Sequence, residues 1–82
     1  MSNAANTLRR LNLNLLPILY ELLHSKNVSE AARHLNLTQS AVSGSLRQLR
    51  EIFKDELLIQ RGRGMVLSEK AHRLSSEISK II

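Results

Sequence analysis

A mainly α-helical domain is what this chain predicts, and three observations carry the prediction. Apolar residues recur at helical spacing in four separate stretches, most clearly at Val42, Leu46, Leu49 and Phe53. Those steps of four, three and four align on one face only in a helix. The apolar content, 43% of 82 residues, is almost wholly Leu, Ile, Val and Ala, with Tyr20 and Phe53 as the sole aromatics. Such a composition suits packed helices better than sheets. One short stretch, Arg61-Gly62-Arg63-Gly64, interrupts the helical rhythm. A chain of this length supports one small core.

The first helix is expected to start at Asn12 or Asn14, since Asn is a strong N-cap. With Asn14 as the cap, Pro17 falls in the first turn, where a missing N–H costs nothing. The helix runs to about Ser25, and Leu15, Leu16, Leu19, Leu22 and Leu23 are too many for a narrow stripe, so it should be gripped from two sides. Lys26 and Asn27 form the break. Ser29 is the expected cap of the second helix, with Glu30 at the positive end of its dipole. Ala31 and Ala32 are small enough for the next helix to approach closely. Asn36 stands where the chain needs a left-handed residue, which Asn tolerates second only to Gly. Thr38 then caps a third helix over residues 39–53. Two helices crossing over so short a turn form a helix-turn-helix, which presents the outer face of its second helix to a DNA major groove.

Beyond Phe53 the pattern changes. Leu57, Leu58 and Ile59, then RGRG, then Met65, Val66 and Leu67 read as a β-hairpin with a basic tip, a wing. Glycines on both sides of Arg63 are expected to let that tip turn sharply. Ser68 caps a last helix. Leu67, Ala71, Leu74, Ile78 and Ile81 form a seam along it, spaced like the contact stripe of a helix pair. The seam is expected to pair with a second subunit rather than to dock on its own domain, which looks too small to cover it.

Composition removes several function classes. There is no cysteine, so disulfides, thiolate metal sites and cysteine nucleophiles are out. No apolar run approaches the roughly 20 residues that span a bilayer, and no signal-peptide pattern opens the chain; a bacterial cytoplasmic setting, beside the nucleoid, is expected. The sequence offers no paired carboxylates, nucleophile–base set, metal cluster or phosphate-binding loop, so neither an enzyme nor a cofactor site is expected. His24, His34 and His72 read as ordinary surface or boundary residues. The net charge is +5. It is +2 over residues 1–27, zero over 28–56 and +3 over 57–82, so the excess flanks the helix-turn-helix. That distribution suggests phosphate-facing flanks.

The stretch NLNLLPILYELLHSKNVSEAARHLNLTQSAVSGSLRQLREIFKDELLIQRGRGMVLSEKA resembles the N-terminal DNA-binding region of LysR-type transcriptional regulators, in particular the nodulation-regulator-like branch. The resemblance rests on Ala31–Ala32, on the Leu35–Ser43 junction and on the leucine pattern beyond it. The Asp55–Arg63 wing and the Leu67-Ser68-Glu69 opening of the last helix add to it. It implies a winged helix-turn-helix (a three-helix core plus a small β-hairpin wing) over residues 11–67, with the start of a linker and dimerisation helix at 68–82. Residues 1–10 are expected to be disordered or left from tag removal. It further implies a homodimer held through the C-terminal helix, at Ala71, Leu74, Ile78 and Ile81. A small-molecule effector would bind only through a C-terminal domain not contained in these residues. The family often has Pro at the position of Ser40 and Arg at that of Gly44, so base preference is expected to differ from that of commonly described relatives.

Double-stranded DNA is thus the expected partner, and no membrane. The apolar face of the third helix leaves Gln39, Ser40, Ser43, Gly44 and Arg47 on the opposite side, toward the end that enters the groove. Gln39 can pair bidentately with adenine, and Ser40 and Ser43 suit short contacts to bases or phosphates. Gly44 permits close backbone approach or is simply neutral. Arg47 suits guanine and phosphate equally, with an i,i+4 pair to Glu51 as a third option. Thr38 and the helix N-terminus form a phosphate site. Arg61 and Arg63 suit phosphate or the minor groove. Arg33 could reach the DNA backbone or remain a solvated surface residue. The rival reading is a winged-helix protein-interaction module with no DNA role, favoured by the neutral 28–56 segment.

Overall fold

The computed structural model describes residues 14–81, and the expectations for residues 1–10, for the start at 11 and for Asn12 lie outside the described residues. Four helices and one hairpin follow in order: α1 (Leu16–Ser25), α2 (Val28–Leu35), α3 (Gln39–Phe53), β1 (Leu58–Arg61), β2 (Gly64–Leu67) and α4 (Glu69–Ile81). The mainly helical, winged arrangement is the one the sequence predicts.

Helix ends are set by local chemistry, not always by the residue expected. α1 starts after Leu15, which makes no side-chain cap, and Pro17 occupies its first turn; the cap is therefore not Asn14, one residue earlier. α2 is capped by Asn27 rather than Ser29. Lys26 turns left-handed (φ 55°) and Asn27 is extended, so the Asn27 side-chain oxygen accepts the Glu30 N–H at 2.9 Å. Ser29 is thereby already inside the helix. Asn36 is left-handed at φ 58°, as expected. The Leu37 N–H reaches back to the Ala32 carbonyl at 2.9 Å, the six-to-one closure of a Schellman motif. Thr38 caps α3, its hydroxyl accepting the Ala41 N–H at 3.0 Å.

The core draws on every helix. Leu19, Leu22 and Leu23 of α1, Ala31 and Ala32 of α2, and Val42, Leu46, Leu49 and Phe53 of α3 are buried. α1 packs against α2, α3 and α4, which accounts for its excess of leucines. Ala71, Leu74 and Ile78 of α4 are also buried, at 0–1% exposure, within the same core. That corrects the expected self-pairing seam at these three positions. α4 folds back on α1 and β2, and an apolar stripe buries against whichever surface is nearest. The side chain of Ile81 lies outside the described residues.

The hairpin pairs antiparallel, from Leu58 with Leu67 to Arg61 with Gly64, which leaves Gly62 and Arg63 as a two-residue turn. Only Gly62 has positive φ, 61°, the pattern of a type II′ turn with Gly at its first central position. Gly64 is an ordinary strand residue, so the expected need for both glycines reduces to one.

Candidate nucleic-acid interface

The N-terminal half of α3 shows solvent a face that the domain does not use. The apolar side at Val42, Leu46 and Leu49 is buried, and Gln39, Ser40, Ser43 and Arg47 are exposed on the other. Thr38 spends its hydroxyl on Ala41. The N–H groups of Gln39 and Ser40, in the first turn, have no acceptor within the helix and suit an anion. Arg47 has no carboxylate within ion-pair distance among the described residues, so the possible pair with Glu51 does not form. A Cβ built on Gly44 would meet nothing within 4 Å. Internal packing therefore does not require glycine there, and its missing side chain matters only to an outside partner or not at all.

The wing brings Arg61 and Arg63 to its tip, both exposed and neither in an ion pair among the described residues. Gln60 steadies the turn by donating its side-chain amide to the Gly62 carbonyl at 3.1 Å. Of the other cations of the basic C-terminal segment, Lys70 and Lys80 are engaged, and Arg73 is exposed. Lys70 donates to the Phe53 carbonyl at 2.7 Å, at the end of α3. Lys80 stands 3.9 Å from Glu77.

Sequence reasoning missed the residues that hold the wing's base. One oxygen of the Asp55 carboxylate, Oδ2, accepts the Leu57 N–H at 2.8 Å and the Ser68 hydroxyl at 2.5 Å. Ser68 in turn caps α4 by accepting the Ala71 N–H and donates its own N–H to the Leu57 carbonyl. Arg50, half-buried near the end of α3, donates Nε–H to the Glu56 carbonyl at 2.8 Å and Nη2–H to the Leu58 carbonyl at 3.1 Å. The Arg50 bonds and those joining Ser68 to Asp55 and Leu57 span six to thirteen positions in sequence, so no local pattern announces them, while the Asp55–Leu57 bond spans only two. Only the Ser68 cap was legible.

Away from this face, Arg33 pairs with Glu30 through Nη2, while its side chain stays largely exposed. That hydrogen bond first, and the Arg33 charge second, hold the Glu30 carboxyl below its ordinary pKa, with His34 adding a smaller pull. His34 Nδ1 also lies 3.0 Å from Glu21, tying α2 to α1. His24 stacks on Tyr20 with ring centroids 6.2 Å apart.

A helix-turn-helix with an unpartnered recognition face and a hairpin carrying two unpaired arginines defines a winged-helix DNA-binding class of domain. Residues 13–72 match the family described as bacterial regulatory helix-turn-helix protein, lysR family. The chain belongs to that family, and is a DNA-binding unit of transcriptional regulation. It is 43% identical over 72 residues to Nodulation protein D 2 of Bradyrhizobium diazoefficiens, covering 88% of this chain and 22% of that protein. To the transcriptional regulator SyrM 1 of Sinorhizobium fredii it is 43% identical over 75 residues, covering 92% and 22%. The chain thus spans about a fifth of the length of these relatives. Among solved structures, a probable transcriptional regulator from Pseudomonas aeruginosa superposes with a TM-score of 0.83 at 36% identity, covering 93% of this chain and 26% of that one. The BenM DBD–benA site 1 DNA complex superposes with a TM-score of 0.77 over 87% of this chain and 80% of that one. Its identity is 20%, and the likeness is one of fold. No helix among the described residues is long and apolar enough to cross a membrane.

Proposed function

We propose that this chain reads double-stranded DNA by laying the N-terminal half of α3 in the major groove, with the wing on phosphate or in the adjacent minor groove. The observation that carries the reading is the split of α3 itself: Gln39, Ser40, Ser43 and Arg47 stand exposed, and none enters a side-chain bond among the described residues. Gln39 and Arg47 have the reach and donors for base edges. Thr38, Ser40 and Ser43 suit phosphates or short base contacts, and Gly44 leaves room for the groove wall. Arg61 and Arg63 supply charge for the backbone.

Residues 11–67 form the reading unit, and the helix from residue 68 begins the link to the rest of a longer regulator. That regulator works in the bacterial cytoplasm, as a homodimer on an inverted repeat, and senses a small molecule through a C-terminal domain. Because Ala71, Leu74 and Ile78 are occupied by the core, pairing through residues 69–80 of α4 would use its outer face, at His72, Arg73, Ser76 and Ser79. That face is polar and supplies little hydrophobic drive. Selection of bound duplexes from a random pool tests the reading. A recovered motif bound more tightly than random duplex, with salt-sensitive affinity, supports it. Recovery of no motif, with no salt-sensitive binding, contradicts it.

A further inference from the structure

Leu57 sits at the base of the wing in a conformation that leucine avoids. Its φ is +66°, and the Leu58 N–H bonds the Glu56 carbonyl at 2.6 Å. That three-residue closure is a γ-turn with positive φ at its centre, the rare and strained form. Strain of this kind persists only where the surroundings over-determine it. Here Asp55 takes the Leu57 N–H, Ser68 donates to the Leu57 carbonyl, and the buried side chain fills the core. The carbonyls on either side, of Glu56 and Leu58, are both held by the planar fork of Arg50. Of these anchors, Arg50 alone belongs to the recognition helix.

We infer that Arg50 is a positioning residue for DNA binding: it sets where Arg61 and Arg63 stand relative to the face of α3 that enters the groove. β1 begins at the residue after Leu57, so any rotation at that turn swings the whole hairpin. Four strand residues reach about 13 Å, so a swing of roughly 20° moves the tip by about 4–5 Å. That displacement exceeds the tolerance of a hydrogen bond to phosphate. Arg50 spends two donors on protein carbonyls and acts on DNA through the wing. Asp55 and Ser68 keep the turn closed without it, so its loss frees the hairpin's direction more than it unfolds the domain. A lysine, a point charge without the fork, does not reproduce the two-point hold.

This inference rests on the proposed contact of the wing with phosphate, and its test separates the two. Affinity for one selected duplex is measured across salt concentrations for four chains: wild type, Arg50→Met, Arg61→Ala/Arg63→Ala, and the three changes combined. Thermal unfolding is followed in parallel. Each lost phosphate contact flattens the log–log salt slope by about 0.9. The wing variant is expected to flatten it by about 1–2, and Arg50→Met by at least half as much. The combined variant should lose no more than the wing variant. Partial unfolding would weaken binding by the same factor at every salt concentration and leave the slope alone. A wild-type slope in Arg50→Met therefore overturns the positioning role, as does a further loss in the combined variant, which would mean direct contact of Arg50 with phosphate. An unchanged slope in the wing variant overturns the wing reading, and the role of Arg50 with it. Arg50→Lys, expected to show the same loss in smaller size, supplies the slope if Arg50→Met fails to fold.

Discussion

The two halves of α3 are built on opposite terms. From Gln39 to Arg47 the side chains of Gln39, Ser40, Ser43 and Arg47 reach outward and bond no other side chain among the described residues, while the Thr38 hydroxyl before them accepts the Ala41 backbone N–H. From Arg50 to Phe53 two polar groups are wired inward: Arg50 to two carbonyls at the wing's base, and the Phe53 carbonyl to Lys70 of α4. One half is kept free for an outside partner, and the other fixes the frame in which that half is presented. A domain this small cannot hold a recognition surface rigid by core burial alone, and the wired half supplies polar anchoring in its place.

The strongest way to break this comparison is at the anchored end. Leu57→Ala is expected to cost about 2–5 kcal/mol of stability, as truncation of buried leucines does. Leu57→Gly should cost no more than the alanine variant, and up to ~1 kcal/mol less, because glycine takes positive φ without strain. Denaturant unfolding of both variants checks the order, and a glycine variant clearly weaker than alanine would contradict the strained turn. Asp55→Ala should cost about 2–3 kcal/mol, since it removes an ionised acceptor from two hydrogen bonds at once. The free half predicts the reverse sign. Gly44→Ala has open space around it and should raise stability by up to ~1 kcal/mol through helix propensity. Thermal unfolding reads that gain, and a loss would mean a packing demand at Gly44. The smallest effect belongs to Glu30. Its pKa is lowered in the folded chain, so its contribution is present above the unfolded-state value and fades as pH falls through the folded one. Its side chain is half-exposed and its ion pair lies at the surface, so Glu30→Gln should shift the unfolding midpoint barely at pH 7 and not at all in acid.

The same division marks what the sequence could tell. The free half was legible in full: periodicity gave the buried face of α3, and Asn36 and Thr38 announced the turn before it. Local rules faltered where two signals competed within two residues. Asn27 and Ser29 are both good caps, and the left-handed Lys26 decides between them. The stripe of Ala71, Leu74 and Ile78 was read correctly as apolar, but periodicity says only that a face is buried, not against what. Leu57 was read as strand because it opens the apolar run Leu57–Ile59 before the Gly-containing link. Its actual turn depends on the local bond from Asp55 and on Arg50 and Ser68, whose contacts close over distances no local pattern covers.

The central claim is that the exposed half of α3 reads bases and the wing holds phosphate. Duplex selection from a random pool, repeated with Gln39→Ala and Arg47→Ala beside the wild-type chain, tests it most directly. Each variant should keep wild-type stability and lose preference at particular positions of the recovered motif, by about 1–3 kcal/mol where a base contact is removed. Recovery of the wild-type motif by both variants, with binding to specific and random duplexes weakened equally, would contradict the account.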